Sequence, residues 1–106
     1  TSKDKGAFYM SVPSAASYRN MEPVKSHWQQ HNALGDCLVS GLKSVGVKIF
    51  SSGSMEMDLT QTSFSTVPSI DIELGDKVSD HSDATLDNLA SGLVTGINQY
   101  FGQAQK

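Results

Sequence analysis

Two hydrophobic periods follow one another in the last third of the chain. Ile70, Ile72 and Leu74 alternate with Asp71 and Glu73 in PSIDIELGD (68–76). Strict alternation sends apolar and acidic side chains to opposite faces of a strand. Beyond a polar loop, Leu86, Leu89, Ala90, Leu93, Val94, Ile97, Tyr100 and Phe101 recur at three and four residues. That spacing gathers them into one stripe on a helix. A strand with one apolar face and a helix with one apolar stripe must bury them against each other or a further layer. The chain is therefore read as α/β.

The rest of the sequence fits the same architecture. Gly6 to Val12 (GAFYMSV) reads as a strand closed by Pro13. Residues 13–20 read as loop, with Asn20 as a candidate helix N-cap. A helix is expected to begin at Pro23, with Glu22 favouring the positive end of its dipole. Val24, Trp28, Leu34, Leu38, Leu42 and Val45 mark its apolar side, and Gly46 its stop. Gly35 and Gly41 weaken it locally, by about 1 kcal/mol each relative to Ala. Val47 to Phe50 forms a short candidate strand, and SSGS (51–54) a turn. Residues 55–67 read as an irregular connection that leaves room for a short strand at Met55 to Leu59. Pro68 opens the next strand, where a missing N–H is tolerated. Residues 75–83 read as a loop, and Ser82 or Asp83 caps a last helix from about 84 to 101. The expected order is β-α-β-β-α, with helices packed on a mixed or parallel sheet.

Length and charge narrow the function classes. The chain has 106 residues, which sets one domain as the expectation, alone or as a portion of a larger one. A net charge of −3 gives no basic cluster for nucleic acid or an anionic membrane. No apolar run is long enough to span a membrane. The one cysteine, Cys37, excludes an internal disulfide and a cysteine-rich zinc site, and its apolar surroundings suit a small core residue. The start, TSKDKGAFYM, has no signal-peptide architecture and no initiating Met, and reads as a cut point or tag scar.

Few side chains carry chemistry. Asp71 and Glu73 share a strand face about 7 Å apart. Asp76 adds a third carboxylate, which would raise a neighbour's pKa. His27 and His31, in HWQQH, stand at i and i+4, a spacing that could chelate a metal. Trp28 replaces the glutamate of an HExxH motif and no third ligand is evident, so a solvated pair is the expected state. His81, between Asp80 and Asp83, suits capping and solvation, with cation binding or substrate orientation as the alternative. Tyr18, Trp28 and Phe64 fit either a sugar-packing role or ordinary packing.

At the level of motifs, Pro68, Glu73 and Gly75 in PSIDIELGD, followed by Gly96-Ile97 and Tyr100-Phe101 in GINQYF, form a recognisable set. With KGAFYMS (5–11) and a helix at 34–45 running into GVK (46–48), they extend over nearly the whole chain. Together they resemble the C-terminal half of the catalytic domain of zinc-dependent N-acetylmuramoyl-L-alanine amidases of bacterial cell walls. The resemblance implies a larger three-layer domain. It implies hydrolysis of the amide between N-acetylmuramic acid and L-alanine in peptidoglycan, outside the cell in the wall or periplasm of a bacterium. Glu73 matches the family glutamate, which serves as general base and then general acid beside a zinc-bound water. A place at the carboxyl end of a strand suits that role.

The sequence departs from the family in two respects. The family's two histidines and glutamate that hold zinc lie in an N-terminal half with no counterpart here. Zinc ligands are therefore expected from outside this chain, from a missing N-terminal half, with pairing to another copy as the other way to cover the exposed edge. Asp76 also stands where the family has Phe or Tyr. A non-catalytic module that binds wall glycopeptide or a partner protein is the alternative, and an unrelated small α/β domain is a third.

Overall fold

The computed structural model of the chain describes residues 6–59, 63–75 and 81–104. Three strands and three helices are formed among them: β1 (Ala7–Ser11), α1 (Ala16–Arg19), α2 (Val24–Ser44), β2 (Ile49–Glu56), β3 (Asp71–Glu73) and α3 (Asp83–Ala104). The strands make one mixed sheet in the order β2-β1-β3, with β2 parallel and β3 antiparallel to central β1. The α/β reading with a mixed sheet therefore holds, and α1 is an addition within the stretch read as loop.

Helix α2 covers one face of the sheet. Tyr9 of β1 reaches up to it, buried at 5 % exposure. Its ring lies where a Cβ on Gly35 would stand, 2.6 Å from Tyr9 Cδ2. Gly35 costs helix stability locally, yet the helix runs unbroken because the ring occupies the space the missing side chain leaves. Ala7, Val12, Val24, Leu38 and Leu42 complete the apolar core around this contact.

Helix α3 packs on α2, with at most marginal contact to the strands. The crossing is close because three glycines meet. A Cβ on Gly41 would strike the Gly92 carbonyl, and one on Gly96 would lie 2.7 Å from Leu38 Cα. Backbone approaches backbone there, which side chains of any size would prevent. The resulting body is 41 × 37 × 19 Å. A larger three-layer domain belongs to the expectation, not to these residues.

Several boundaries move. Strand β2 runs straight through SSGS, read above as a turn. The turn signal was sound locally: Ser51 and Gly53 both adopt positive φ, at 52° and 94°. The pairing with β1 absorbs them as a bulge between Ile49 and Ser54. Asn20 caps the C-terminus of α1, not the start of α2. At the start of α2 the Glu22 carboxylate instead accepts the Ser26 backbone N–H at 2.9 Å and the Ser26 hydroxyl at 2.5 Å. Gly46 ends α2 as expected. Ser82 caps α3, its hydroxyl oxygen accepting from the Thr85 N–H at 3.3 Å.

Candidate functional site

Glu73 is the last residue of β3, directly opposite Phe8, and Asp71 lies opposite Met10. Residues opposed across a ladder point to the same face. Asp71 and Glu73 therefore share a face with Phe8 and Met10, and through the β1–β2 register with Met55. This is the face away from α2. Phe50 joins it, its ring 5.3 Å from that of Phe8. Glu73 and Asp71 are half-buried there, while Met55 is 45 % exposed. The alternation read from the sequence is thus real, and the acidic set borders a partly apolar, open sheet face.

Glu73 does not lie at the end of the sheet expected for it. It ends its own strand, but β3 runs against β1 and β2. Its place is therefore at the amino end of the parallel pair, not at the carboxyl edge where parallel sheets gather ligands. Asp76, proposed as a third carboxylate beside it, lies outside the described residues, as does Asp80.

The histidine pair is not a solvated one. His31 is fully buried, and its Nδ1 accepts the Ser69 backbone N–H at 3.0 Å. That bond ties α2 to the chain entering β3. His27 is half-buried, with Nδ1 2.8 Å from the Pro23 carbonyl, to which it donates. The two rings stack at 6.5 Å between centroids. Each Nδ1 is committed to backbone, which favours a structural role for both. His81 is exposed just ahead of α3, and Asp83 lies in the first turn of that helix. Among the described residues no group of three His, Cys, Asp or Glu side chains converges as metal ligands would.

Zinc calls for three protein ligands drawn from His, Cys or carboxylate groups. The open face around Glu73 offers two carboxylates spaced along a strand, beside Phe8 and Met10. These residues do not make a zinc site by themselves. Cys37 supplies no ligand either. It is buried, and loss of hydration together with the nearby Asp36 charge raises its thiol pKa.

The carboxyl ends of β1 and β2 hold a polar network that sequence reasoning missed. The Glu56 carboxylate, at the end of β2, accepts the Ser14 N–H at 2.9 Å, and this bond holds its pKa below the usual range. Tyr18 donates to Asp58 Oδ2 at 3.1 Å and Ser63 to Asp58 Oδ1 at 2.6 Å. The Arg19 guanidinium lies 3.7 Å from the centroid of the Trp28 ring, a cation–π stack. Trp28 thus carries a cation. Phe64 is 69 % exposed. Residues 14–20 and 56–64 are far apart in sequence, and no local spacing in either announces the pairing.

A scan against protein-family models and a search of curated proteins both find no match to this chain. Among the described residues no helix is long and apolar enough to cross a membrane.

Proposed function

We propose that this chain is the glutamate-bearing half of a peptidoglycan amidase that cleaves the bond between N-acetylmuramic acid and L-alanine. The reading is supported by one observation above all. Glu73 sits half-buried on an open, partly apolar sheet face, within the Pro68–Gly75 motif whose resemblance suggested it. The role given to Glu73 is proton transfer: it takes a proton from the attacking water and returns it to the leaving amide nitrogen. The metal that would activate this water is zinc in the proposed family. Its ligands come from polypeptide outside these 106 residues.

The test is the natural open reading frame that contains this chain, purified and assayed on dye-labelled peptidoglycan, with zinc measured by elemental analysis. Stoichiometric zinc and release of muramyl-linked peptide are expected. Glu73→Gln should lower turnover about a hundredfold or more with zinc content unchanged. Full activity of that variant would remove Glu73 from the mechanism.

The alternative is a non-catalytic module that holds wall glycopeptide or a partner protein. It gains from the absence, among the described residues, of any group of three metal-ligating side chains. A protein without zinc or hydrolysis that still sediments with peptidoglycan would favour it.

A further inference from the structure

A cavity of ≈ 90 Å³ opens where the segment after β1 meets the segment after β2. Its rim is apolar: Met21 and Phe64 are 61 % and 69 % exposed. Tyr18, Asp58, Ser63 and Glu22 also line it. The Asp58 carboxylate is fixed from two sides, by Tyr18 on one oxygen and by the buried Ser63 on the other. Among the described residues, no Lys, Arg or His lines the cavity. Arg19, next to Tyr18, is turned onto Trp28. Lys25 and His27 act on Glu22, lowering its pKa together with the stronger Ser26 hydrogen bond. The described walls therefore carry two exposed carboxylates beside the exposed Met21 and Phe64 side chains, without a cation among the described lining residues.

Size sets the kind of occupant. Pockets for whole small molecules run to about 300–1,000 Å³. This one takes the end of a single side chain. Charge calls for a cation, and the Met21 and Phe64 rim calls for an apolar stem behind it. Arginine's planar fork suits a carboxylate with both oxygens open, whereas each Asp58 oxygen already accepts a hydrogen bond. We propose that the cavity receives a primary ammonium on an aliphatic stem, the chemistry of a lysine side chain presented by a peptide. The site lies at the carboxyl ends of the parallel strands, at the opposite end of β1 from Glu73, and is independent of the amidase reading.

Amide chemical-shift titration of the 106-residue chain tests it. Nα-acetyl-lysine amide should produce saturable shifts at Tyr18, Ser63 and Phe64. Its neutral isostere, Nα-acetyl-norleucine amide, should bind about tenfold more weakly, as should Asp58→Asn with the lysine probe. Added salt should weaken the lysine complex. n-Butylammonium separates the sources: tighter binding than the blocked lysine assigns the site to free amines, weaker binding to lysine within a peptide, and both keep the ammonium chemistry. Absence of saturable shifts overturns the proposal, and so does equal binding of the norleucine probe. If Asp58→Asn fails to fold, Glu22→Gln and the salt dependence carry the same decision, since undiminished binding in both removes the electrostatic basis.

Discussion

The two long helices are nearly equal in length, 21 residues in α2 and 22 in α3, yet they are spent differently. Helix α2 is covered on two sides and buries Val24, His31, Gly35, Cys37, Leu38, Gly41 and Leu42. Among the α3 residues whose burial is described, only Gly92 and Gly96 are buried, and they touch α2. Leu86, Val94, Ile97 and Phe101 are left 41–57 % exposed. An apolar stripe in sequence thus reports what a helix is able to cover, not what it does cover in this chain. For α2 the two agree. For α3 the stripe exceeds what α2, its main partner among the described residues, covers.

The difference can be broken at the glycine crossing. Gly92→Val should destabilise the chain by about 3 kcal/mol, because its Cβ would stand 2.9 Å from Leu42 Cα, a backbone atom that cannot swing aside as the nearby Leu42 and Val45 side chains can. Urea denaturation with circular dichroism measures this, and a wild-type midpoint would mean the helices do not touch as described. Leu42→Ala, at a fully buried position of α2, should cost about 2–5 kcal/mol.

A smaller effect sharpens the contrast from the α2 side. Tyr9 donates to Asp36 at 2.7 Å, and Tyr9→Phe should cost about 1 kcal/mol. Burial first, then the Asp36 hydrogen bond and charge, raise the Tyr9 pKa well above the ordinary value of 10.0, against a lowering contact from Ser54. The unfolded chain then gives up this proton at lower pH than the folded one. The stabilisation is complete below pH 10 and falls as pH rises above it. Denaturation midpoints across pH 8–11 should show a decline above about 10 that Tyr9→Phe reduces.

The least effect is expected on α3. Val94→Ser and Ile97→Ser together should move the midpoint by less than about 1 kcal/mol, because neither side chain leaves a closed core. A loss on the scale of Leu42→Ala would mean that α3 is covered in solution, by another copy or another polypeptide. Sedimentation at several protein concentrations separates that case.

Legibility followed the same line. The alternation in β3 and the stripes of both helices were open to reading because each is a repeated local pattern. The partners were not. Gly35 looks like a weak point in a helix until Tyr9 is seen to need the space. His31 looks like a surface residue among polar neighbours, yet a backbone N–H from 38 positions away fills its Nδ1. Glu73 was legible as a face and misjudged as an end, because the direction of β3 is a property of the sheet. The Tyr18–Asp58–Ser63 network joins distant segments, and no periodicity encodes it.

The bulge in β2 has a consequence for insertion and deletion. Between Ala7 and Tyr9, β1 advances by two residues while β2 advances by five, from Ile49 to Ser54. The surplus is odd. Ile49 and Glu56 are seven positions apart and would face opposite sides in a regular strand, yet they pair with Ala7 and Ser11 on one side. The segment from Phe50 to Gly53 thus acts as a phase shifter. Removing the three surplus residues would leave a regular strand in which Met55 still pairs with Met10 and Glu56 with Ser11. Length variation in β2 should therefore be absorbed within this excursion, while a deletion in the regularly paired Ser54–Glu56 would exchange faces.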